Sequence, residues 1–221
     1  MLARSADTPD AKSVSGRSPH RTRGGANIER RVLEAALELA AHGGFEAVRQ
    51  REVAERAGVA LGTLYKRFRS KDELLIGVLE VESRKLATRL ERDPPLGDTP
   101  LDRVMQYFKI ATYYMIRKPR LGKAILRAVT SGDGVSERMM SYHAQQMRHV
   151  MSALASLPPI GAVRDAGDLS DDEAALVATI LLQVWFAALV GWSGGVYDAD
   201  GVVEQVRIAG RIVLRGVRAP E

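Results

Sequence analysis

The chain has 221 residues, which is enough for one large domain or for a small domain joined to a larger one. With 46% hydrophobic and 27% charged residues it has the composition of a folded protein, and the absence of cysteine excludes disulfides, thiolate metal sites and cysteine nucleophiles. Its net charge of +5 is confined to residues 1–72, which carry 14 basic and 9 acidic side chains, whereas residues 73–221 carry 18 of each. This asymmetry predicts a polyanionic partner for the N-terminal part and a different role for the rest.

The N-terminal residues 1–26 are rich in Gly, Ser, Pro and Arg and offer little that a core could bury. This composition predicts a flexible basic arm, and because it lacks the apolar stretch of a secretory signal, a cytoplasmic location is expected. At Asn27 the pattern changes, since apolar residues recur at helical spacing as far as residue 41 and Gly43-Gly44 follows. We therefore expect an amphipathic helix over 27–41 with Asn27 as its N-cap.

Eight further helices are expected along the chain. Two are short, over 50–57 and 60–68, and a longer one runs to residue 92 from Ser70, where Ser70 and Glu73 have capping-box spacing. The remaining five are separated by turns that Pro or Gly marks, and they are predicted over 101–117, 119–130, 135–157, 171–192 and 199–216. No segment alternates with a period of two, so the predicted fold class is all-α with about nine helices.

The predicted helix over 171–192 contains an apolar run that approaches the length of a membrane span. The run covers residues 176–192, which is shorter than the ~20 residues that cross a bilayer, and Thr179 and Gln183 interrupt it. A helix buried on two sides, between its own domain and a partner subunit, explains the run more simply. We therefore expect no membrane partner.

Residues 49–68 have the spacing of a helix-turn-helix. Ala54 is small enough for two helices to cross closely, Gly58 permits the turn, and Leu64 points back into the angle between the helices. A generic helical hairpin would satisfy the same spacing. Seven basic residues against three acidic ones between positions 49 and 72 favour DNA binding, because such an excess neutralises phosphates.

The stretch 47–75 resembles the DNA-binding domain of the TetR/AcrR family of bacterial one-component repressors. The resemblance is carried by Ala57-Gly58-Val59, by Gly62-Thr63-Leu64-Tyr65 with Phe68, and by Ser70-Lys71-Asp72-Glu73-Leu74-Leu75. It implies a nine-helix homodimer with an N-terminal three-helix helix-turn-helix domain and a C-terminal helical domain. The expected organisation is an arm over 1–26, a DNA-binding domain over 27–73, and an effector-binding domain over 74–221 that dimerises through its last two helices.

The resemblance also implies which residues contact a palindromic operator in double-stranded DNA. Gln50 and Arg51 would lie where the first short helix meets the DNA backbone, and Lys71 would hold a phosphate at the N-terminus of the fourth helix. The full set of expected DNA contacts is Arg49, Gln50, Arg51, Leu61, Gly62, Thr63, Tyr65, Lys66 and Lys71. Arg49 and Ala60 stand where the family usually has Thr and often Ser, so both short helices are expected to lack a side-chain cap.

A weaker resemblance is to the branch of this family that represses sterol-degradation genes in actinobacteria. It is carried by residues 44–48 and 59–65, by Val184-Trp185 and by Trp192, and it implies a large hydrophobic effector such as a steroid or its coenzyme A thioester. Met and aromatic residues cluster between 101 and 192, where they form either core or an apolar cavity between helices. The expected ligand contacts are Tyr107, Phe108, Thr112, Met115, Met147, Gln183, Trp185 and Phe186.

Two patterns in the sequence could indicate catalysis or metal binding. The segment 191–195 matches the G-x-S-x-G pattern of a hydrolase, but that pattern needs a strand before the Ser and a long helix precedes it here. His143 and His149 are six residues apart and do not have the i, i+4 spacing of helical metal ligands. We therefore expect no enzyme activity and no cofactor or metal.

Two function classes remain after these exclusions. One is a ligand-responsive transcriptional repressor that a small hydrophobic effector releases from its operator, and the other is a helical small-molecule-binding protein with little or no specific DNA binding. Base-specific and salt-sensitive binding to a twofold-symmetric site distinguishes them, because only the first class requires it.

Overall fold

The computed structural model describes residues 19–131, 137–155 and 169–217, with side chains from residue 25 onward. Within these ranges the chain forms nine α-helices and no strand, which confirms the all-α prediction. The helices are α1 (Pro19–Ala47), α2 (Gln50–Arg56), α3 (Leu61–Tyr65), α4 (Lys71–Arg92), α5 (Pro100–Ile116), α6 (Pro119–Ser131), α7 (Glu137–Ala155), α8 (Asp171–Ser193) and α9 (Ala199–Val217). Residues 1–18 of the predicted arm and both ends of the predicted helix 135–157 lie outside the described residues.

Helix α1 begins at Pro19, so the predicted start at Asn27 is wrong and residues 19–26 are helical. Proline suits a first turn because its ring presets φ and its missing N–H has no helical partner there. Asn27 lies in mid-helix instead of capping it, and its Oδ1 accepts a 3.0 Å hydrogen bond from Arg30. At the other end the backbone leaves helical geometry at Gly44 (φ 70°), as Gly43-Gly44 predicted, and a last short turn carries α1 to Ala47.

The caps of the later helices follow the sequence closely. The Ser70 hydroxyl accepts from the backbone N–H of Glu73 at 3.0 Å, while the Glu73 carboxylate accepts from the N–H of Arg69, one residue earlier than a capping box places it. Neither Arg49 nor Ala60 caps its helix through a side chain, as expected. Helix α3 is shorter than the predicted 60–68, since after Tyr65 the chain turns to bury Phe68.

The buried side chains form two clusters, and α4 belongs to both. The first cluster joins α1, α2, α3 and the start of α4 to one face of α6, and the second joins the end of α4 to α5, α7, α8 and α9. Leu74 and Leu75 of α4 lie in the first cluster, and Leu86 and Leu90 lie in the second. Helix α4 therefore links the two clusters directly.

Helix α8 has two apolar faces. Among the described residues it is the helix long and apolar enough to cross a bilayer, yet 44% of its most apolar window is buried inside the fold. Its other face leaves Leu176 56% and Val190 38% exposed, and the neighbouring α9 exposes Ile208 (46%) and Ile212 (66%). The helix ends at Ser193, whose hydroxyl donates to the Val190 carbonyl at 2.9 Å, so the G-x-S-x-G segment is a helix end.

Candidate DNA-binding surface and ligand cavity

Helices α2 and α3 pack together through the three positions that the sequence singled out. Ala54 and Leu64 are buried at their contact, and Gly58 takes the left-handed conformation (φ 59°) in the turn. Arg31 of α1 donates to the carbonyl oxygens of Ala57 and Gly58, the latter at 2.9 Å, and so stabilises the turn between α2 and α3. This role of Arg31 could not be predicted from the sequence, because a charged residue in an amphipathic helix does not indicate which carbonyl groups it contacts.

The expected DNA contacts fall into an exposed group and a half-buried group. Leu61, Thr63 and Gln50 are half-buried, and Lys71 is half-buried at the start of α4. The exposed positions are Arg49, Arg51, Gly62, Tyr65 and Lys66. The cationic side chains of Arg49, Arg51 and Lys66 and the Tyr65 hydroxyl are therefore accessible, as binding to a phosphate backbone requires.

Gln50 has a structural contact that competes with its expected role on DNA. Its amide nitrogen donates a 3.2 Å hydrogen bond to the carbonyl oxygen of Phe68, which lies beyond the end of α3. This bond joins the start of α2 to the turn after α3, so the amide nitrogen of Gln50 is already engaged within the protein.

Lys71 is also partly engaged within the protein. Its Nζ lies 3.6 Å from Glu46 and 4.3 Å from the centre of the Phe45 ring, while Arg127 of α6 lies 4.0 Å from the same ring and 2.7 Å from Glu46. The hydrogen bond from Arg127 and the charges of Lys71 and Arg127 hold the pKa of Glu46 below its ordinary value. Glu46 is exposed, so the pair with Lys71 is screened by water and a DNA phosphate can compete with it.

A cavity of about 320 Å³ lies in the C-terminal half, between α4, α5, α6, α7 and α8. This volume lies within the range of small-molecule sites, about 300–1,000 Å³. Its walls are mainly aliphatic, sulfur-containing and aromatic: Leu79, Met115, Ile125, Leu126, Val129, Met139, Tyr142, His143, Gln146, Leu182, Gln183, Trp185, Phe186 and Leu189. A smaller recess of about 30 Å³ shares six of these residues and adds a polar end with Glu82, Ser83, Tyr114, Arg117 and Lys118.

The polar end is organised around the Glu82 carboxylate, whose side chain is only 9% exposed. It is 2.7 Å from Lys85 and 2.6 Å from Arg117, and the Tyr114 hydroxyl donates to it at 3.3 Å. Burial raises the pKa of Glu82, but the hydrogen bonds and charges of Lys85 and Arg117 outweigh burial, so the pKa lies below its ordinary value. Glu82 is therefore ionised at neutral pH and places fixed polar groups beside an apolar chamber.

A buried chain of hydrogen bonds continues from this end into the core. The Gln146 amide donates to the Ser83 hydroxyl at 3.1 Å, and the Tyr107 hydroxyl donates to the Gln146 carbonyl. Burial raises the pKa of Tyr107 well above its ordinary value, so this hydroxyl remains a proton donor. Because all three groups are satisfied, the wall they form keeps one geometry.

Half of the expected ligand contacts line the cavity and half do not. Met115, Gln183, Trp185 and Phe186 line it, with Gln183 and Phe186 also exposed on α8. The contacts that do not line it are Tyr107, Phe108, Thr112 and Met147. Tyr107, Phe108 and Thr112 are fully buried behind its wall, and Met147 packs on the C-terminal core. The prediction failed for these residues because helical spacing of aromatic and sulfur-containing residues indicates a buried face but does not indicate which buried residues border a cavity.

A second cavity, of about 300 Å³, lies between the end of α4, the linker after it, α5 and α7, and Tyr107, one of the expected ligand contacts, lines it. His149 lines it, and its Nε2 is enclosed without a hydrogen-bond partner among the described residues. Burial, with a contribution from Arg148, lowers the pKa of His149, so its imidazole is neutral at physiological pH. Within the described ranges no three His, Asp or Glu side chains lie close enough to hold a metal ion.

Two known family models match the chain, one in each half. Residues 32–78 match the family described as bacterial regulatory proteins of the tetR family, and residues 97–213 match the tetracyclin repressor-like C-terminal domain. The first match covers the helix-turn-helix and the start of α4, and the second covers α5, α6, α7 and α8, which together with α4 enclose the cavity.

Individual proteins show the same likeness. The HTH-type transcriptional repressor KstR of Rhodococcus jostii (strain RHA1) is 35% identical over 193 residues, which is 87% of this chain and 85% of that protein. A TetR transcriptional regulator from Rhodococcus sp. RHA1 has a crystal structure that matches with a TM-score of 0.72 and 25% identity, over 86% of this chain and 96% of that one. The Thermus thermophilus repressor FadR in complex with lauroyl-CoA matches with a TM-score of 0.61 and 19% identity, over 87% and 96% of the two chains.

Proposed function

Because the chain belongs to the TetR family of bacterial regulatory proteins, we propose that it is a ligand-responsive transcriptional repressor that binds a palindromic operator as a homodimer. The observation that carries this proposal is that α4 begins beside a cationic helix-turn-helix and continues along the wall of an apolar cavity. A catalytic role has no part in it, and the relatives matched are transcriptional regulators. The site of action is the cytoplasm, where the operator is.

DNA binding in this proposal uses the exposed region of α2 and α3. Arg49 and Arg51 supply cations, and Tyr65 and Thr63 supply hydroxyl groups, for phosphate oxygens. Lys66, the residue that follows α3, would contact base edges. Leu61 and Gly62 stand at the start of α3, where side chains of a recognition helix reach base edges in the major groove. Lys71 and Gln50 contribute after partial release from Glu46 and Phe68, respectively.

Dimerisation uses the exposed apolar faces of α8 and α9. Leu176, Val190, Ile208 and Ile212 would form the centre of a twofold interface, and a second copy of the same face would cover them. Exposed apolar side chains grouped on two adjacent helices are typical of subunit contacts. Two recognition helices, one from each subunit, would then enter successive major grooves of a symmetric site.

The effector would be a small hydrophobic molecule with one polar end, such as a steroid or an acyl-CoA-like compound. The apolar chamber suits its body, and the recess around Glu82 and Arg117 suits a hydrogen-bonding group. The relative KstR and the lauroyl-CoA complex of the similar FadR guide this choice. Entry of the effector would tilt α4, change the separation of the recognition helices and favour the state released from DNA.

The experiment that tests the proposal is selection of bound duplexes from a random pool by the purified full chain at near-physiological salt. Enrichment of a palindrome, with binding that weakens steeply as salt rises, is the expected result. Shallow binding without an enriched sequence would overturn the repressor proposal and favour a helical small-molecule-binding protein with little specific DNA affinity.

A further inference from the structure

Arg138, on the first turn of α7, joins three parts of the N-terminal half. Its Nη2 lies 2.7 Å from Glu29 of α1, and its Nη1 lies 2.7 Å from Glu80 of α4. The guanidinium carbon lies 5.3 Å from the centre of the Phe68 ring. One planar side chain of the C-terminal half therefore contacts α1, α4 and the segment that follows α3.

The partners of Arg138 are the residues that hold the recognition helix. Phe68 is fully buried, its backbone N–H donates to the carbonyl of Leu64 in α3 at 2.9 Å, and its own carbonyl accepts from Gln50 of α2. Glu29 also pairs with Arg67, the residue before Phe68, at 3.4 Å. Any movement of the Arg138 guanidinium thus acts on both sides of the turn that ends the helix-turn-helix.

The turns of α7 that follow Arg138 form part of the cavity wall. Tyr142, four residues after Arg138 and therefore on the same helix face, lines the cavity and also packs against the N-terminal core. His143 and Gln146 line the cavity in this turn and the next. A molecule that fills the cavity has to contact the stretch of α7 that carries Arg138.

We propose that Arg138 is a positioning residue for the recognition helix, and that occupancy of the cavity reaches the DNA-binding surface through the contacts of Arg138 with Glu29, Glu80 and Phe68. The second half of this inference rests on the function proposed above. It adds to α4 a second mechanical connection, from α7 directly to the end of the helix-turn-helix.

The chemistry of the site makes arginine specific for this role. A guanidinium presents nitrogen atoms in a fixed plane to two carboxylates on different helices and stacks on an aromatic ring, whereas a lysine ammonium is a point charge on a flexible stem. The three charged side chains are each about 70% enclosed, so water screens these pairs less than a fully exposed ion pair.

Hydrogen–deuterium exchange of the full chain tests the positioning role without any operator or effector. In Arg138→Gln the amides of residues 27–31 and 61–68 should exchange about tenfold faster than in the original chain, while those of α8 and α9 stay unchanged. The matched control is Arg148→Gln, an exposed arginine on the same helix, and Arg138→Lys should recover only part of the protection. Equal exchange profiles for Arg138→Gln and Arg148→Gln would overturn the proposal.

A double-mutant comparison tests the connection to the cavity. Leu182→Trp fills the cavity from α8 and should speed exchange in 61–68 when Arg138 is present, but add little in the Arg138→Gln background. If the increases in exchange rate caused by Leu182→Trp and Arg138→Gln are additive in the double variant, the cavity does not act through Arg138. If Arg138→Gln loses protection throughout the chain, Glu80→Gln, which removes one carboxylate charge only, replaces it in the same comparison. If Leu182→Trp does so, Phe186→Trp replaces it, because Phe186 lines the cavity but is partly exposed.

The third measurement is the affinity of these variants for the operator duplex selected in the experiment described under the proposed function. Arg138→Gln should weaken binding to that duplex about tenfold, and Arg148→Gln should leave it unchanged within about twofold. Failure to select any operator would overturn the proposed function but not the exchange result, whereas unchanged exchange would overturn the role of Arg138 and leave the repressor proposal intact.

Discussion

The indole N–H of Trp185 donates a 2.9 Å hydrogen bond to the hydroxyl of Thr112, a residue of α5 that is fully buried. Trp185 lines the cavity, so a polar contact behind the wall sets the orientation of its largest aromatic surface. A buried indole N–H needs such a partner because water cannot reach it.

Replacement of Thr112 by valine should therefore destabilise the protein although the two side chains have similar shapes. The change leaves the Trp185 N–H without an acceptor, which costs about 1–3 kcal/mol in the free energy of unfolding. Urea unfolding followed by tryptophan fluorescence measures this loss. Thr179→Val is the control, since that hydroxyl only donates to a carbonyl of its own helix, and an equal loss in both variants would contradict the role of the Thr112 hydroxyl.

Lys71 and Lys66 should affect DNA binding in different ways. Lys71→Ala should weaken binding to all duplexes and lower the slope of log affinity against log salt by about 1, because it removes one phosphate contact. Changes at Lys66 or Leu61, on the recognition helix, should alter the preferred sequence instead. Fluorescence anisotropy over a series of salt concentrations, with selected and scrambled duplexes, separates the two effects. Unchanged affinity in all variants would remove α3 and the start of α4 from DNA recognition.

Glu46→Gln provides an independent check on Lys71. Loss of the carboxylate charge frees Lys71 from its 3.6 Å partner, so DNA binding should become tighter at low salt. The same substitution combined with Lys71→Ala should bind no more tightly than Lys71→Ala alone. A gain that persists without Lys71 would mean that Glu46 repels DNA directly.

Glu82 should contribute to stability in a pH-dependent manner. Its pKa in the folded protein is below the ordinary value near 4.5, so the folded state binds fewer protons here than the unfolded chain does. The stabilisation is therefore present at neutral pH and is lost as pH falls below 4.5 towards the folded-state pKa. Glu82→Gln should cost about 1–3 kcal/mol at pH 7 and progressively less in acid, as measured by urea unfolding at several pH values. A constant loss across this range would exclude an ionic role.

Ile212 should be essential for dimerisation. Ile212→Glu places a charge at the exposed apolar face of α9, and burial of that charge in an interface is strongly unfavourable. Sedimentation velocity should show a dimer for the original chain and a monomer for this variant. Leu96→Glu, which changes an even more exposed leucine in the linker after α4, should leave the dimer intact. Dissociation of both variants, or of neither, would place the interface elsewhere.

A side chain at position 58 should destabilise the protein. The φ of 59° at Gly58 is strained for other residues, and an added Cβ would lie 2.7 Å from the Arg31 nitrogen that holds the turn. Gly58→Ala should lower the free energy of unfolding by about 1–2 kcal/mol. Gly62→Ala is the control, because that glycine is helical with open space around it and alanine favours a helix; a similar loss in thermal unfolding of both would refute the argument.

The sequence was sufficient for features that local chemistry determines. Helical periodicity, glycine breaks and caps such as Ser70 are written within a few residues of where they act, so most helix bounds were predicted to within two residues. The start of α1 was not, because Gly24-Gly25 and a proline-rich composition suggest an unstructured segment. Gly25 instead lies against Arg67, where a Cβ would approach the guanidinium to 2.9 Å.

Features that depend on distant partners could not be predicted. Nothing local to Arg138 or Arg31 indicates which carboxylates or carbonyls lie opposite them. The identity of the residues that line the cavity also depends on distant partners. Tyr107 and Trp185 have similar sequence surroundings, but only Trp185 lines the larger cavity. Apolar periodicity specifies that a residue is inside, and the packing of several helices decides what it faces.

The packing of α6 has a consequence for building hybrid regulators. Its buried face, formed by Leu121, Ala124, Ile125 and Ala128, completes the core beneath the helix-turn-helix although it lies some fifty residues beyond the predicted end of that domain. A graft that transfers residues 27–73 alone onto another sensor would leave this core facing a foreign helix. A hybrid should therefore keep the DNA specificity of this protein only when the graft also includes the buried face of α6 and Arg127, which stacks on Phe45.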